Sequence, residues 1–297
     1  MRIVVIVPFL NEERFLARFL ASMEAQTRRP DRLVLVDDGS TDGSPAIAAG
    51  FGARHDWVTV LTRPPKPPST DRLALAGEFV AFRWALEQVG EQTADAIGKF
   101  DGDIDHNPAA LAVLEQALAD DPRLGIVGAY LSVLDDAGRR RREHCLPHHV
   151  RGPNKLYRRA CLDEISPIPA ILGWDTIDEW LAQMRGWQTA SVALPGGDSI
   201  HLRPTGTADG RLRAFRRWGV CSYAIGDPPS WVALGTLRRM GQPPYVLGGL
   251  SYALGWALAR ARRQPRAASD VRRYVRRTQR RRLWWRLTNR GAQPTSP

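Results

Sequence analysis

The chain contains little cysteine, three residues in 297, at positions 145, 161 and 221. An odd and widely spaced set makes no disulfide framework, so the pattern points to free thiols in a reducing compartment. A leader pattern is also missing. Met1 runs directly into the apolar stretch Ile3 to Leu10, without a basic n-region, a longer apolar h-region or a small-residue cleavage site. The expectation is a cytoplasmic protein. A membrane-crossing helix needs about 20 apolar residues, and the uncharged stretch from Tyr245 to Ala259 has only 15. It is read as a core helix, a segment lying in a bilayer surface, or part of a partner interface. Acid is almost absent from the C-terminal end, where thirteen arginines after Ala259 face a single acid, Asp270. The whole chain carries +11, so the tail holds the excess and the rest is close to neutral. The basic character therefore describes what the tail touches and says little about the main fold.

What is present is an alternation of short apolar runs and helical patterns, the signature of an α/β domain with a mainly parallel sheet. Strands are expected at 3–9, 32–36, 58–61, 96–100 and 124–133. Helices are expected at 12–26, 45–51, 75–89, 108–119 and 175–185, the first from the spacing of Phe15, Leu16, Phe19, Leu20 and Met23. Asp135 to Gly138 reads as a turn with Arg139 to Arg142 as an exposed arm, and residues 150–160 carry no clear period. The 43% hydrophobic content suffices for one main core.

In open α/β sheets, ligands bind beyond the carboxyl ends of the strands. Three such ends here carry unusual polar residues: Pro8 to Glu12, Asp37 to Asp42 and Asp101 to Asp105. Asp101-Gly102-Asp103 directly after an apolar strand can aim carboxylates past the sheet edge, while Gly102 lets a ligand come near the backbone. Oxygen ligands of this kind suit Mg²⁺ or Mn²⁺ bridging to a diphosphate. Asp37-Asp38-Gly39-Ser40 serves either as a strand exit and helix cap or as a carboxylate for a uracil-type base. Asn11 and Glu12 serve either a ligand or the cap of the first helix.

Val7-Pro8-Phe9-Leu10-Asn11-Glu12-Glu13, Val36 to Ser44 and Lys99-Phe100-Asp101-Gly102-Asp103-Ile104-Asp105, in that order and at those spacings, resemble glycosyltransferase family 2. The resemblance reaches about Gly226. It implies a GT-A fold, Rossmann-like, with a mainly parallel sheet and helices on both faces, followed by a helical basic appendage. The implied division is a transferase domain at 1–226 and a membrane-associating segment at 227–297. Carried over residue by residue, the resemblance implies that Pro8, Asn11 and Glu12 line the nucleotide pocket and Asp38 contacts the base. It places Asp101 and Gly102 near ribose or phosphate and gives Asp103 to a Mn²⁺ or Mg²⁺ ion. Arg72 is a candidate diphosphate contact, or a surface residue beside Asp71.

Gly173-Trp174-Asp175-Thr176-Ile177-Asp178-Glu179-Trp180 resembles the family's acidic motif that supplies the catalytic base. Asp175 matches by its distance before Gly186-Trp187, although the chain has Trp-Asp where the family more often has Glu-Asp. Asp178 is the alternative base, and a capping box with Asp175 as N-cap is the structural alternative. His201-Leu202-Arg203-Pro204 resembles a late motif in which the histidine approaches the metal or diphosphate, which imidazole can do for Mn²⁺. The implied activity is inverting transfer from a nucleotide-diphosphate sugar to a hydroxyl of a lipid-linked or polysaccharide acceptor. The Arg and Trp residues of the tail suit the anionic inner face of a membrane. A sugar nucleotidyltransferase would share the sheet and the carboxylates. A nucleic-acid-binding protein would explain the tail and leave the strand-end acids without a role.

Overall fold

A computed structural model describes residues 1–64, 76–90, 94–135, 137–203 and 210–288. The backbone divides into two compact units, one of Met1–Ser166 with Arg185–Pro204 and the other of Pro167–Met184 with Thr205–Pro297.

In the first unit, β1 (Ile3–Phe9) is buried at every position, as expected of a strand covered on both faces. It pairs in parallel with β2 (Arg32–Asp37), which pairs with β3 (Val58–Thr62). Its other neighbour is β4 (Ala96–Phe100). Helices α1 (Glu13–Glu24), α2 (Ser44–Gly52), α3 (Gly77–Val89) and α4 (Ala110–Asp120) alternate with these strands. Helix α1 buries Leu16, Phe19, Leu20 and Met23 on one stripe against the core of β1 and β2. Truncating the fully buried Phe19 would cost about 3–5 kcal/mol.

Three features differ from the sequence reading. The strand expected at 124–133 is two, β6 (Leu124–Ala129) and β7 (Leu131–Leu134), separated at Tyr130, whose N–H donates to the Val192 carbonyl. The chain changes sheets there. Residues 154–158 form a strand, β9, lying antiparallel between β4 and β6. Its sequence, Asn-Lys-Leu-Tyr-Arg, hides the strand because Asn154 and Lys155 are buried polar side chains. Asn154 satisfies its burial by donating to the Ala129 carbonyl at 2.9 Å. Finally, the short strands β5 (Ile104–Asp105), β8 (Arg140–Arg142) and β11 (Ser199–His201) join β7 in a small second sheet ordered β5-β11-β7-β8. The main sheet, completed by β10 (Gln188–Val192), runs β10-β6-β9-β4-β1-β2-β3. The first unit also holds α5 (Arg159–Ile165).

Behind the Asp101–Asp105 loop, His106 is buried against Phe100 (ring centroids 4.8 Å) and Phe19 (5.7 Å), and its Nε2 has no partner. Burial alone lowers its pKa from 6.5 to about 3. The neutral ring's contribution is therefore complete above pH 6.5 and declines as pH falls toward 3, because the unfolded chain takes up a proton that the folded ring resists. His106→Phe keeps the stacking and removes this linkage. Denaturant titrations from pH 7 to 4 should show the wild type losing about 1–3 kcal/mol more stability than the variant, and equal losses would contradict the assignment.

The second unit is helical: α6 (Trp174–Met184), α7 (Arg211–Ile225), α8 (Pro229–Met240), α9 (Val246–Ala261) and α10 (Ser269–Thr288). Val271 and Val275 of α10 pack with Ile177 and Trp180 of α6. Helix α9, which covers the uncharged stretch, is core on one face and exposed on the other. A Cβ at Gly255 would stand 2.0 Å from the Arg216 carbonyl oxygen, and one at Gly219 would stand 2.0 Å from that of Tyr252. Helices α7 and α9 therefore meet backbone to backbone, which only glycine permits. The opposite face of α9 leaves Leu247 58%, Leu250 50% and Leu254 50% exposed. Among the described residues no helix is long and apolar enough to cross a membrane.

Candidate active site

The order β4-β1-β2 makes the three polar strand ends neighbours, although about 60 residues separate the second from the third in sequence. Pro8 and Phe9 pair with Val36 and Asp37, and the Asp38 N–H donates to the Phe9 carbonyl at 2.9 Å. The first two loops then interlock. Asn11, held at φ 54°, accepts the Thr41 N–H on its side-chain oxygen at 2.8 Å, while Ser44 Oγ accepts the Glu12 N–H at 2.8 Å. Asp37 accepts the N–H groups of Gly39 and Ser40. Asn11 thus braces the loop that carries Asp38.

Asp38 is buried and its Oδ1 receives Arg63 Nη1 at 2.5 Å. Asp101 is partly exposed and ion-paired with the fully buried Lys99. At Gly102 a Cβ would point inward, 3.5 Å from Leu16 Cδ1. A Cβ there would make only ordinary van der Waals contact, so packing alone does not require glycine at this position. Arg72 lies outside the described residues.

Asp103 is the centre of a charged network that the small sheet completes. His201 sits opposite Ile104 across β5 and β11, and the Leu202 N–H donates to the Asp103 carbonyl at 2.9 Å. This brings His201 Nε2 to 3.7 Å from Asp103 Oδ2, while its Nδ1 lies 3.0 Å from Glu143 Oε2. Arg203 Nη2 donates to Asp103 Oδ2 at 2.9 Å and to Glu12 Oε1 at 2.6 Å, so carboxylates from two strand-end loops share one guanidinium. Burial acts against the charge on Asp103, but His201 and Arg203 outweigh it and hold the carboxyl below its usual range. On His201 burial favours the neutral ring, and the two facing carboxylates win, raising its pKa to about 9. Burial raises Glu12, with Arg203 opposing.

Glu143 and Arg203 are the members that sequence reasoning missed. Glu143 lies beyond the arginine arm in no recognisable motif, and only the β7–β8 pairing carries it to His201. Arg203 had a signal, its place two residues after the histidine.

A divalent cation fits these residues. Asp103 Oδ1 and Glu12 Oε2 are buried with no hydrogen-bond partner, so each leaves an oxygen donor unused inside the network. Such an orphan is costly unless another group completes it. Among the described residues no group of three or more His, Cys, Asp or Glu side chains forms a ready-made metal cage. One or two carboxylates completed by ligand phosphates would match the way Mg²⁺ is commonly held.

Residues 4–170 match the family described as Glycosyl transferase family 2. The chain belongs to that family. An N-acetylglucosaminyl-diphospho-decaprenol L-rhamnosyltransferase of Mycobacterium tuberculosis is 31% identical over 121 residues, 38% of this chain and 36% of the relative. The chain thus aligns with about a third of that protein's length. Among solved structures, a mannosyltransferase from Pyrobaculum calidifontis in complex with GDP-Man and Mn²⁺ superposes with a TM-score of 0.57. It is 19% identical and covers 96% of this chain and 80% of its own. Glucosyl-3-phosphoglycerate synthase from Mycobacterium tuberculosis, solved with Mn²⁺ and UDP, gives 0.52 at 16% identity, covering 77% and 81%. These likenesses establish the fold, GT-A, with the mostly parallel sheet expected.

The segment from Gly173 to Trp180 falls in the second unit. The Gly173 carbonyl accepts the N–H groups of Thr176 and Ile177, both at 3.0 Å, so Gly173 is the N-cap of α6 and Asp175 lies inside the first turn. The capping box with Asp175 as N-cap is therefore not formed. Asp178 is fully buried and its Oδ1 accepts the Glu179 N–H at 2.7 Å, whereas Asp175 is half-buried.

Proposed function

We propose that this family 2 protein transfers a sugar, with inversion, from a nucleotide-diphosphate sugar to a hydroxyl of a lipid-linked or polysaccharide acceptor at a membrane. The observation that carries the donor half is Asp103, whose unpartnered Oδ1 lies in one network with His201, Arg203 and Glu12 at three adjoining loops. In this reading Asp103, with His201 once it has given up the proton that Asp103 and Glu143 favour, would hold Mn²⁺ or Mg²⁺, which when bound neutralises the charge of the departing diphosphate. Pro8, Glu12 and Asp38 seat the nucleotide, with Asp101, Gly102 and Arg72 toward ribose and phosphate. Arg203, which bridges Glu12 and Asp103, would supply a second positive charge toward the diphosphate. Asp175 takes the proton of the attacking hydroxyl as general base. Residues 1–226 carry the chemistry, and 227–297 the membrane contact.

The acceptor class is supported by the rhamnosyltransferase, whose name specifies a diphospho-decaprenol acceptor. The donor and metal are supported by the two solved structures, which hold GDP-Man or UDP with Mn²⁺. Incubating the protein with a panel of nucleotide sugars and Mn²⁺ and identifying the released nucleotide tests the reading. Nucleoside diphosphate is expected. Pyrophosphate would reassign the protein as a nucleotidyltransferase, and no turnover with any donor would remove the claim.

The membrane contact is supported by apolar residues left in solvent on α8 and α9, with Leu237 65% exposed in addition to the α9 leucines. Arginines crowd α7 and α10. Together they suit the interface of an anionic bilayer on the cytoplasmic side, where the three free thiols are also at home. Leu250→Glu with Leu254→Glu should lower partitioning onto phosphatidylglycerol vesicles by about tenfold or more, with no change in thermal stability because both side chains already face solvent. Unchanged sedimentation would move the contact away from α9.

A further inference from the structure

The second unit contains a cleft of about 530 Å³ whose walls carry Arg260, Arg263, Arg266 and Arg276 together with Tyr223 and Trp256. Nothing in sugar transfer at the donor site uses it. The end of α9 contributes Arg260, with its guanidinium 5.3 Å from the Trp256 ring, and the following loop contributes Arg266 at 5.0 Å from the Tyr223 ring. Arg276 on α10 donates through Nε to the Gly226 carbonyl at 3.2 Å, which leaves its two terminal nitrogens for another acceptor. Among the described residues none of the four forms an ion pair with a carboxylate. Asp227 is the one carboxyl among the lining residues. Burial pushes it toward its neutral form, and Gln279 donates to its Oδ1 at 2.5 Å.

Among the described residues, the positive charge of the cleft is therefore not balanced by an ion pair. Arg272 beside it shows the consequence, since burial and then the charges of Arg266 and Arg276 lower its pKa. Helix α8 adds to the same field, because its first residue Pro229 lines the cleft and its N-terminus has no side-chain cap. Several convergent guanidinium forks call for a ligand that presents several oxygens and more than one negative charge. The volume lies within the range of small-molecule sites and exceeds what a lone ion fills. The two aromatic rings would line the part that carries the charge.

We propose that this cleft is a binding site for a phosphoryl or diphosphoryl group, held by the guanidinium groups of Arg260, Arg263, Arg266 and Arg276. The group is either the headgroup of a membrane lipid or part of a soluble phosphorylated compound. The site lies wholly in the second unit and does not depend on the donor reading.

The test uses the full-length chain without divalent cations. It is titrated with inorganic pyrophosphate at about 0.15 M salt and sedimented with phosphatidylcholine vesicles containing phosphatidic acid or phosphatidylserine, matched in surface charge. Pyrophosphate should bind, and R263Q/R266Q should weaken it by about tenfold or more, while R277Q/R280Q removes the same charge from α10 outside the cleft and should cost less than about threefold. R263K/R266K keeps the charge without the forks and should fall between them, and it serves as the test variant if the glutamine pair fails to fold. Preference for phosphatidic acid vesicles, with displacement by pyrophosphate, identifies a lipid source, and pyrophosphate binding without that preference identifies a soluble one. Equal losses in the two glutamine variants, or no binding of pyrophosphate, overturns the site.

Discussion

Asp103→Ala should lower donor affinity measured with Mn²⁺ by about 100-fold or more while leaving the metal-free affinity nearly unchanged. The side chain is buried, one oxygen has no partner and the other is shared by Arg203 and His201. Removing it takes away the carboxylate available to an ion and leaves two cationic groups facing each other, a position that repels rather than attracts metal. Asp103→Asn separates these effects, because it keeps the volume and one acceptor but loses the charge. It should also fail to respond to Mn²⁺. Calorimetric titration of nucleoside diphosphate with and without Mn²⁺ reads both variants, with melting curves as the check on folding. Full Mn²⁺ response in either variant would take Asp103 out of the metal site.

Asp175→Asn should leave donor binding intact and reduce turnover by about 100-fold or more, the size expected for the loss of a general base. Asp178→Asn should behave differently. Its carboxylate is fully buried and accepts the Glu179 N–H, so the main cost falls on stability, about 1–3 kcal/mol for weakening a buried charge-assisted hydrogen bond. Asp175 is half-buried in the first turn of α6 and remains reachable. Steady-state kinetics beside denaturant unfolding distinguishes the two residues. If turnover collapses in Asp178→Asn and survives in Asp175→Asn, the base lies one helical turn later.

The legible parts of this chain were those where one local period dominates. Strand β1, helix α1 and strand β4 follow expectation to within two residues because their apolar positions leave no competing face. Strand β9 was not legible, since a central position filled by Asn154 and Lys155 reads as loop until the partner that satisfies each polar group is known. The three acidic loops could be found as strand ends. Their joining could not, because it depends on the order β4-β1-β2.

The sequence by itself determined the family, the α/β class, the near-neutral body and the basic end, all of which are properties of local pattern and composition. Tertiary structure alone decided that Glu143 reaches His201, that Arg203 bridges Glu12 and Asp103, and that α9 turns its glycines inward and its leucines out. Each of these rests on contact between residues distant in the chain. Such contact depends on how strands order and helices cross, and no periodicity within a segment encodes which distant segment it will meet.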